Sequence, residues 1–340
     1  MKWFEQAEVD KNIVISSRVR LARNLDKFAF PYRLNPAMAK EVLQEVCEAV
    51  SGLENRLDFM ELTSTPPWES NVLYERHLIS RHMAEKTLPC GIAYGEGENL
   101  SIMINEEDHI RIQAVFEGNN LEAAYKKAME ADNALGQDLD YAFDGDFGFL
   151  TSCPTNTGTG LRASYMLHIP FLESTGMLKA QAEMLTKTGF AIRGAHGEGS
   201  SPRGGIYQIS NQITLGKSED EIITAIQRLV EQIADKEAHL RTQLTKDLNA
   251  EVMDAIWRAH GILANCRKIA LDEAMKLLSD IRLGIMMGIL PPPMGGHTIY
   301  SIMTNIQDAT LQAITMPADD ARHLEILRAD YLRQCFNRPL

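Results

Sequence analysis

The side chains with the most chemistry to offer fall into two sets. One is planar and cationic: Arg18, Arg20, Arg111, Arg162 and Arg193, each in an apolar or glycine-rich setting. Guanidinium groups match phosphate oxygens in a two-pronged fit, and phosphoryl transfer asks a protein mainly for positioning and charge neutralisation. The other set is acidic or nucleophilic. Glu107 follows an apolar run, Glu198 lies at the centre of a glycine-rich stretch, and Cys153 lies in Phe149-Leu-Thr-Ser-Cys-Pro-Thr-Asn-Thr-Gly-Thr-Gly-Leu-Arg-Ala-Ser164. In that loop Pro154 sets φ and Gly158 and Gly160 tolerate φ > 0, while nearby N–H groups and Arg162 favour a thiolate. Two carboxylates and a thiolate would suit a cationic acceptor. Each residue also has a plain structural reading: a turn with a buried thiol, a solvated strand edge for Arg18 and Arg20, a satisfied core histidine for His77.

Elements must bring these residues together. Residues 12–21 read as a strand, which puts Arg18 and Arg20 on one face. Helical spacing predicts helices over 36–52, 121–135, 174–188 and about 318–335, and strands over 100–104, 161–169, 190–193 and 205–210. Ser218-Glu-Asp-Glu221 is a capping box opening a long helix, with Ile222, Ile226, Leu229, Val230 and Ile233 as its apolar stripe. The glycine-rich stretch 193–205 reads as a lid over a site. From there on the chain reads as helix, with breaks at Ala259–Gly261 and at Pro291-Pro-Pro-Met-Gly-Gly296 and a domain boundary near residue 240.

Composition bounds the possibilities. The 340 residues carry a net charge of −12, which argues against a general nucleic-acid or membrane-surface binder. Five scattered cysteines without a C-x-x-C pair fit a reducing cytoplasm and argue against a disulfide framework or zinc site. The start turns polar at once, so no leader is expected, and Leu283–Leu290 is too short to span a bilayer. Three motif fragments mislead. Gly216-Lys-Ser218 lacks the first glycine of a P-loop, since position 211 is Asn211. Asp146-Phe-Gly148 has no H-R-D loop before it, and Pro170 leaves no room for the helix that Gly158-Thr-Gly-Leu-Arg-Ala163 would need as a dinucleotide fingerprint.

Taken in order, Ile15-Ser-Ser-Arg-Val-Arg20, Asn105-Glu-Glu-Asp-His-Ile-Arg111, Cys153-Pro-Thr-Asn-Thr-Gly-Thr159 with Arg162, Arg193-Gly-Ala-His-Gly-Glu198 and Gly205-Ile-Tyr-Gln-Ile-Ser-Asn211 resemble the phosphagen (guanidino) kinases over about residues 12–235. Within that family, Ser210-Asn-Gln-Ile-Thr-Leu-Gly-Lys-Ser218 and the helical C-terminal third resemble the bacterial branch that phosphorylates arginine side chains in proteins. Only about fifteen residues precede the Ser-x-Arg strand, where small-guanidino kinases place a helical domain, so a more open acceptor pocket is expected. The resemblance implies an α+β fold: a phosphagen-kinase-like catalytic domain, an antiparallel sheet flanked by helices, over 1–240, then a smaller all-helical domain over 241–340 for dimerisation and docking.

The resemblance also implies roles. Arg18, Arg20, Arg111, Arg162 and Arg193 would clamp the phosphates of ATP, with Mg²⁺ held through those phosphates and no protein metal ligand. His77 would contact the nucleotide, and Ser16, Ser17, Arg18, Val19, Arg20, then Arg162, Ala163, Ser164, Tyr165, Met166, then Arg193, Gly194, Ala195, His196, Gly197, Glu198 would line its site. His196 stands where small-guanidino kinases carry another arginine. Glu107 and Glu198 would grip the acceptor guanidinium, with Glu198 as general base, and Cys153 would orient it. The implied setting is a cytoplasmic homodimer, without nucleic acid or membrane, acting on proteins with exposed arginines. It would mark them for a Clp-type protease in stress response, with a zinc-binding activator protein and a Clp ATPase as partners. The branch's Arg-Asp-x-x-Arg-Ala motif, which docks phosphoarginine, survives here only as Arg328 and Ala329 in Leu324-Glu-Ile-Leu-Arg-Ala329. That argues against phosphoarginine activation and puts Arg328 on a solvated helix face. A kinase of free guanidino metabolites and a non-catalytic phosphoarginine-binding adaptor are the alternatives.

Overall fold

The computed structural model describes residues 1–6, 8–54, 56–195, 202–246, 250–318 and 320–337. Its frame is one antiparallel sheet. The strands are β1 (Val14–Arg23), β2 (Asp58–Glu61), β3 (Gly91–Tyr94), β4 (Leu100–Ile104), β5 (Ile110–Glu117), β6 (Phe143–Asp144), β7 (Gly148–Phe149), β8 (Leu161–His168), β9 (Phe190–Gly194) and β10 (Ile206–Asn211). Eight of them form the sheet in the order β2-β3-β4-β5-β1-β8-β10-β9, and β6 and β7 make a separate small hairpin. With β1 inside, both its edges are paired, so Arg18 and Arg20 do not lie on an open strand edge.

Strand alternation sorts residues between the two faces. Val19 and Leu21 of β1, Ile110, Ile112 and Ala114 of β5, and Leu161, Ala163 and Tyr165 of β8 join one core. The helices Pro36–Ser51, Leu121–Asp138 and Glu219–Lys246 cover that face through residues such as Val42, Val46, Ala124, Ala128, Ile222 and Ile226. Asn35 caps the first by accepting from the Met38 N–H at 2.9 Å. Ser218 and Glu221 close the expected capping box on the last, at 2.8 and 3.2 Å.

Among the described residues, the other face is covered only at its ends. Leu62, Leu73, Leu78, Met83, Ile92 and Met103 form one small core. Trp3, Phe4, Ile15, Val115, Met166 and Ile206 join the helices Ala250–Asn265, Leu271–Met286, Ile299–Asn305 and Ala321–Phe336 in another. Ile15 reaches this side because β1 is irregular between Val14 and Ser16, which switches the alternation. On β5, Arg111 pairs with Met103 at the edge of the first small core, Val115 belongs to the second, and Gln113 lies between them.

Several expectations change. The helix predicted over 174–188 runs over Met177–Lys187, and Gly176 at φ 71° separates it from a short, unexpected helix, Pro170–Ser174. Ala259–Gly261 breaks nothing: Ala250–Asn265 runs through it, with Asn265 Nδ2 donating to the Gly261 carbonyl at 2.8 Å. The long helix Glu219–Lys246 is fastened to the segment after β8: Glu237 accepts from the Leu172 N–H at 2.9 Å and Arg241 donates to the His168 carbonyl at 2.7 Å. Arg328 is not on a solvated face. It is 2% exposed and donates to the carbonyls of Ile306 and Ile269 at 3.0 and 3.1 Å and to Asp308 at 2.6 Å, tying three segments together. Among the described residues no helix is long and apolar enough to cross a membrane.

The loop after β7 is anchored by Arg23, which is 1% exposed. Its guanidinium donates to Asp132 at 2.7 Å and to the Thr159 carbonyl at 3.0 Å, and lies 3.6 Å from the Phe149 ring centroid. Gly160 has φ 66°, and a Cβ there would meet Arg23 Nη1 at 2.5 Å, so only glycine fits. Replacing Arg23 by Ala leaves Asp132 charged and buried, and should cost about 3–5 kcal/mol in urea unfolding. Loss of less than about 1 kcal/mol would refute this anchoring role.

Candidate active site

A cleft of about 900 Å³ opens on the uncovered middle of the sheet. Arg18, Arg20, Arg111, Arg162 and Arg193 all line it, with Tyr32, His77, Lys86, Glu106, Glu107, Gln113, Ser152 and Gln208. Register explains the convergence. Arg20 pairs directly with Arg162 on β8 and with Gln113 on β5, Arg18 pairs with Ser164, and Arg193 pairs with Gln208. Arg18 Nε donates to Ser164 Oγ at 3.2 Å.

Like charges directly opposed across a ladder destabilise it. Burial pushes Arg20 well below the usual arginine range, and Arg18, Arg111 and Arg162 push the same way, with Glu106 alone opposing them. Arg18 is lowered to about 10 by burial and then by Arg162. Among the described residues, Arg20 Nε has no hydrogen-bond partner. A polyanion between these side chains would satisfy that donor and relieve the repulsion, so the residues present fit the phosphates of a nucleotide.

At the rim, Asn105 adopts φ 58° and ties the turn Asn105–His109, its N–H donating to the His109 carbonyl at 2.8 Å. The turn aims its three acids differently. Glu106 is buried and accepts from Ser80 Oγ at 2.5 Å, the Glu107 N–H at 2.8 Å and Arg111 at 2.8 Å. Burial raises its pKa, but Arg111, Ser80 and the Glu107 N–H outweigh that and hold it below the usual range. Glu107, with its side chain 41% exposed, shares Arg111 at 3.0 Å through Oε2. Burial raises its pKa, Arg111 opposes, and Glu106 and Asp108 add to the rise. Asp108 turns inward and accepts from Asn24 Nδ2 at 2.6 Å and the Ser152 N–H at 2.7 Å. That last bond fastens the acidic turn to the Cys153 loop. His109 Nδ1 accepts from the Leu25 N–H, so its Nε2 donates to the Ala29 carbonyl; burial lowers its pKa to about 4.

Cys153 lies one residue beyond Ser152, half-buried, its Sγ 3.0 Å from Thr155 Oγ1. Thr214 fixes the far side of the loop by donating to the carbonyls of Thr155 and Thr157 at 2.9 and 2.7 Å. His77 adopts φ 63° at the cleft wall, its carbonyl accepting from Gln113 Nε2 at 2.8 Å. Ser16, Ser164 and Met166 close around Arg18 at the deep end, beside Trp3. The side chains of Val19, Ala163 and Tyr165 face the opposite core, and Ser17 Oγ donates to the Gly118 carbonyl at 2.6 Å. Strand alternation thus turns these four side chains away from the arginine face and leaves their backbone beside it. Gly194 ends β9 and Ala195 packs toward the helical side. His196, Gly197 and Glu198 lie outside the described residues. Sequence reasoning marked Glu106 only as part of the acidic motif 105–111 and passed over Lys86 and Gln113. Only Gln113 carried a signal, two positions after Arg111 on the same strand face. No group of three or more His, Cys, Asp or Glu placed to hold a metal occurs among the described residues.

Because half-buried Arg20 lies directly opposite a like charge, Arg20→Met should stabilise the protein alone, by about 0.2–1 kcal/mol in thermal or urea unfolding. Destabilisation by that substitution would contradict the electrostatic reading of the cleft.

Comparison with known proteins agrees with this geometry. Residues 38–240 match the family described as ATP:guanido phosphotransferase, C-terminal catalytic domain, and residues 249–339 match the protein-arginine kinase McsB C-terminal domain. A protein-arginine kinase of Symbiobacterium thermophilum is 40% identical over 316 residues, spanning 92% of this chain and 89% of that protein. One from Clostridium kluyveri is 41% identical over 325 residues, spanning 95% and 94%. The duplicated taurocyamine kinase of Schistosoma mansoni superposes with a TM-score of 0.63 at 27% identity, over 77% of this chain but 40% of that one. A lombricine kinase superposes at 0.61 and 25% identity, over 69% of this chain and 68% of that one. A sheet face gathering arginines beside a carboxylate rim, in a chain so matched along its length, belongs to the ATP:guanido phosphotransferase family of kinases, in its protein-arginine kinase branch.

Proposed function

We propose that the chain transfers the γ-phosphoryl group of Mg·ATP to arginine side chains in proteins, giving phosphoarginine and ADP. The observation that carries this reading is the convergence of Arg18, Arg20, Arg111, Arg162 and Arg193 in one cleft with Glu107 at its rim. Identity of 40–41% with protein-arginine kinases along more than nine-tenths of the chain supports a protein as acceptor.

Mg·ATP supplies the phosphoryl group and, through its metal, part of the charge neutralisation. The five arginines hold the phosphates and neutralise charge that spreads onto the transferred oxygens. Arginine's pKa exceeds about 12, so the acceptor nitrogen has no available lone pair at neutral pH. Glu107 uses Oε2 on Arg111, which leaves Oε1 to take the incoming guanidinium and localise its positive charge. Glu106 and Arg111 fix Glu107 from behind, so the acceptor nitrogen is held in line without reorganisation. Glu198 is assigned as the base that accepts the proton, and Cys153 as an orienting group rather than a covalent nucleophile, both by resemblance to the family. Also by resemblance, the chain works as a cytoplasmic homodimer. It marks proteins for a Clp-type protease in stress response, with a zinc-binding activator protein and a Clp ATPase as partners.

With Mg·ATP and an unfolded basic protein, the enzyme should form acid-labile phosphate on arginine. Acid-stable phosphoserine or phosphothreonine as the sole product would exclude the proposal, and turnover on free arginine but not protein would favour a metabolite kinase. Glu107→Gln should slow the reaction on the order of 10²–10⁴-fold. The carboxylate must be ionised to act, and its pKa is raised. Activity should therefore fall with decreasing pH while still above the ordinary glutamate range, and Glu107→Gln should lack that acid limb in the pH–rate profile.

A further inference from the structure

The helical C-terminal third does more than pack beside the cleft. Tyr300, in the helix Ile299–Asn305, is 3% exposed, and its hydroxyl lies 3.1 Å from His77 Nε2. Its ring stands 5.6 Å from that of Trp3. The helix that carries it is seated by the N-terminal segment: Asp10 accepts from the Ile299 and Tyr300 N–H groups, and Thr298 Oγ1 donates to the Phe4 carbonyl at 2.8 Å. The hydroxyl is thus placed by a network independent of the sheet.

His77 is a non-glycine residue at φ 63°, a strained conformation that persists only where surroundings fix it. Three groups do so. Its N–H donates to the Tyr74 carbonyl at 2.9 Å, Gln113 holds its carbonyl at 2.8 Å, and Tyr300 meets its ring. Two residues earlier, Glu75 accepts from the Ala309 and Thr310 N–H groups at 2.9 and 2.7 Å, and from Thr310 Oγ1 at 2.7 Å. The segment carrying His77 is therefore fastened to the C-terminal helices at two points.

We propose that Tyr300 is a positioning residue for the nucleotide: its hydroxyl orients the His77 imidazole on the cleft wall, so that the C-terminal helical layer completes the ATP site. Burial keeps the phenol above its ordinary range despite the opposing pull of Arg18, so it stays a neutral O–H able to donate to Nε2. In that arrangement the proton of a neutral imidazole resides on Nδ1. The proposal rests on the reading of the cleft as a nucleotide site.

The test is direct titration of Mg·ATP and Mg·ADP binding, without acceptor, to wild type, Tyr300→Phe, His77→Ala and the double variant, with KM and kcat measured alongside. Tyr300→Phe keeps the ring against Trp3 and removes one hydroxyl. It should weaken nucleotide binding about five- to tenfold and raise KM for ATP by the same factor with kcat little changed. In the His77→Ala background it should add nothing. Wild-type affinity in Tyr300→Phe would overturn the proposal, as would the same loss in both backgrounds. A wild-type protein that binds neither nucleotide would overturn both this inference and the reading of the cleft. If Tyr300→Phe unfolds, Glu75→Gln loosens the same segment from the other fastening. It should also raise KM for ATP, and an unchanged KM would count against the coupling.

Discussion

Arg20 and Arg162 face each other across β1 and β8, half-buried, with Arg18 and Arg111 beside them. No apolar packing explains such an arrangement, and by itself it is unfavourable. Much of the architecture is what makes it tolerable. Both edges of β1 are paired, one face of the sheet carries a continuous apolar core under three helices, and small cores close the other face at its two ends. Stability is supplied around the cationic strip, and the strip is left to wait for an anion. Proteins commonly hold such locally unfavourable arrangements at functional sites.

The acidic rim follows the same logic on a smaller scale. Three consecutive acids would repel if all pointed into the cleft. The Asn105 turn sends Asp108 inward to Asn24 and Ser152, gives Glu106 to Ser80 and Arg111, and leaves Glu107 half-exposed with one oxygen engaged. Asp108 is the joint of the site, because its bond to the Ser152 N–H brings the Cys153 loop against the turn that carries Glu107. Arg23 and Thr214 hold that loop from the other side.

Much of this was legible in the chain, and the limits have physical causes. Period-two spacing put Arg18 and Arg20 on one face, and the capping box at Ser218–Glu221 marked the long helix. The same period-two rule turns the side chains of Val19, Ala163 and Tyr165 to the opposite core, since a strand cannot offer consecutive side chains to one face. The pairing of Arg20 with Arg162 depends on register between strands about 140 residues apart, which no local pattern encodes. Which of three adjacent acids points outward depends on one left-handed Asn105. Arg328 looked like a surface residue because its partners are mostly backbone carbonyls, invisible to a reading of side-chain types. Gly261 reads as a breaker, yet an exposed glycine with nothing near it costs a helix only about 1 kcal/mol, which packing of Ile256, Ala259 and Leu263 outweighs.

The claim on which everything else depends is that the half-buried arginine strip is a polyphosphate site. Thermal unfolding with matched concentrations of adenosine, AMP, ADP and ATP, each with Mg²⁺ and at two salt concentrations, tests it most directly. Stabilisation should rise with each added phosphate, be negligible for adenosine, and shrink as salt increases. Equal stabilisation by adenosine and ATP, or a shift indifferent to salt, would contradict it.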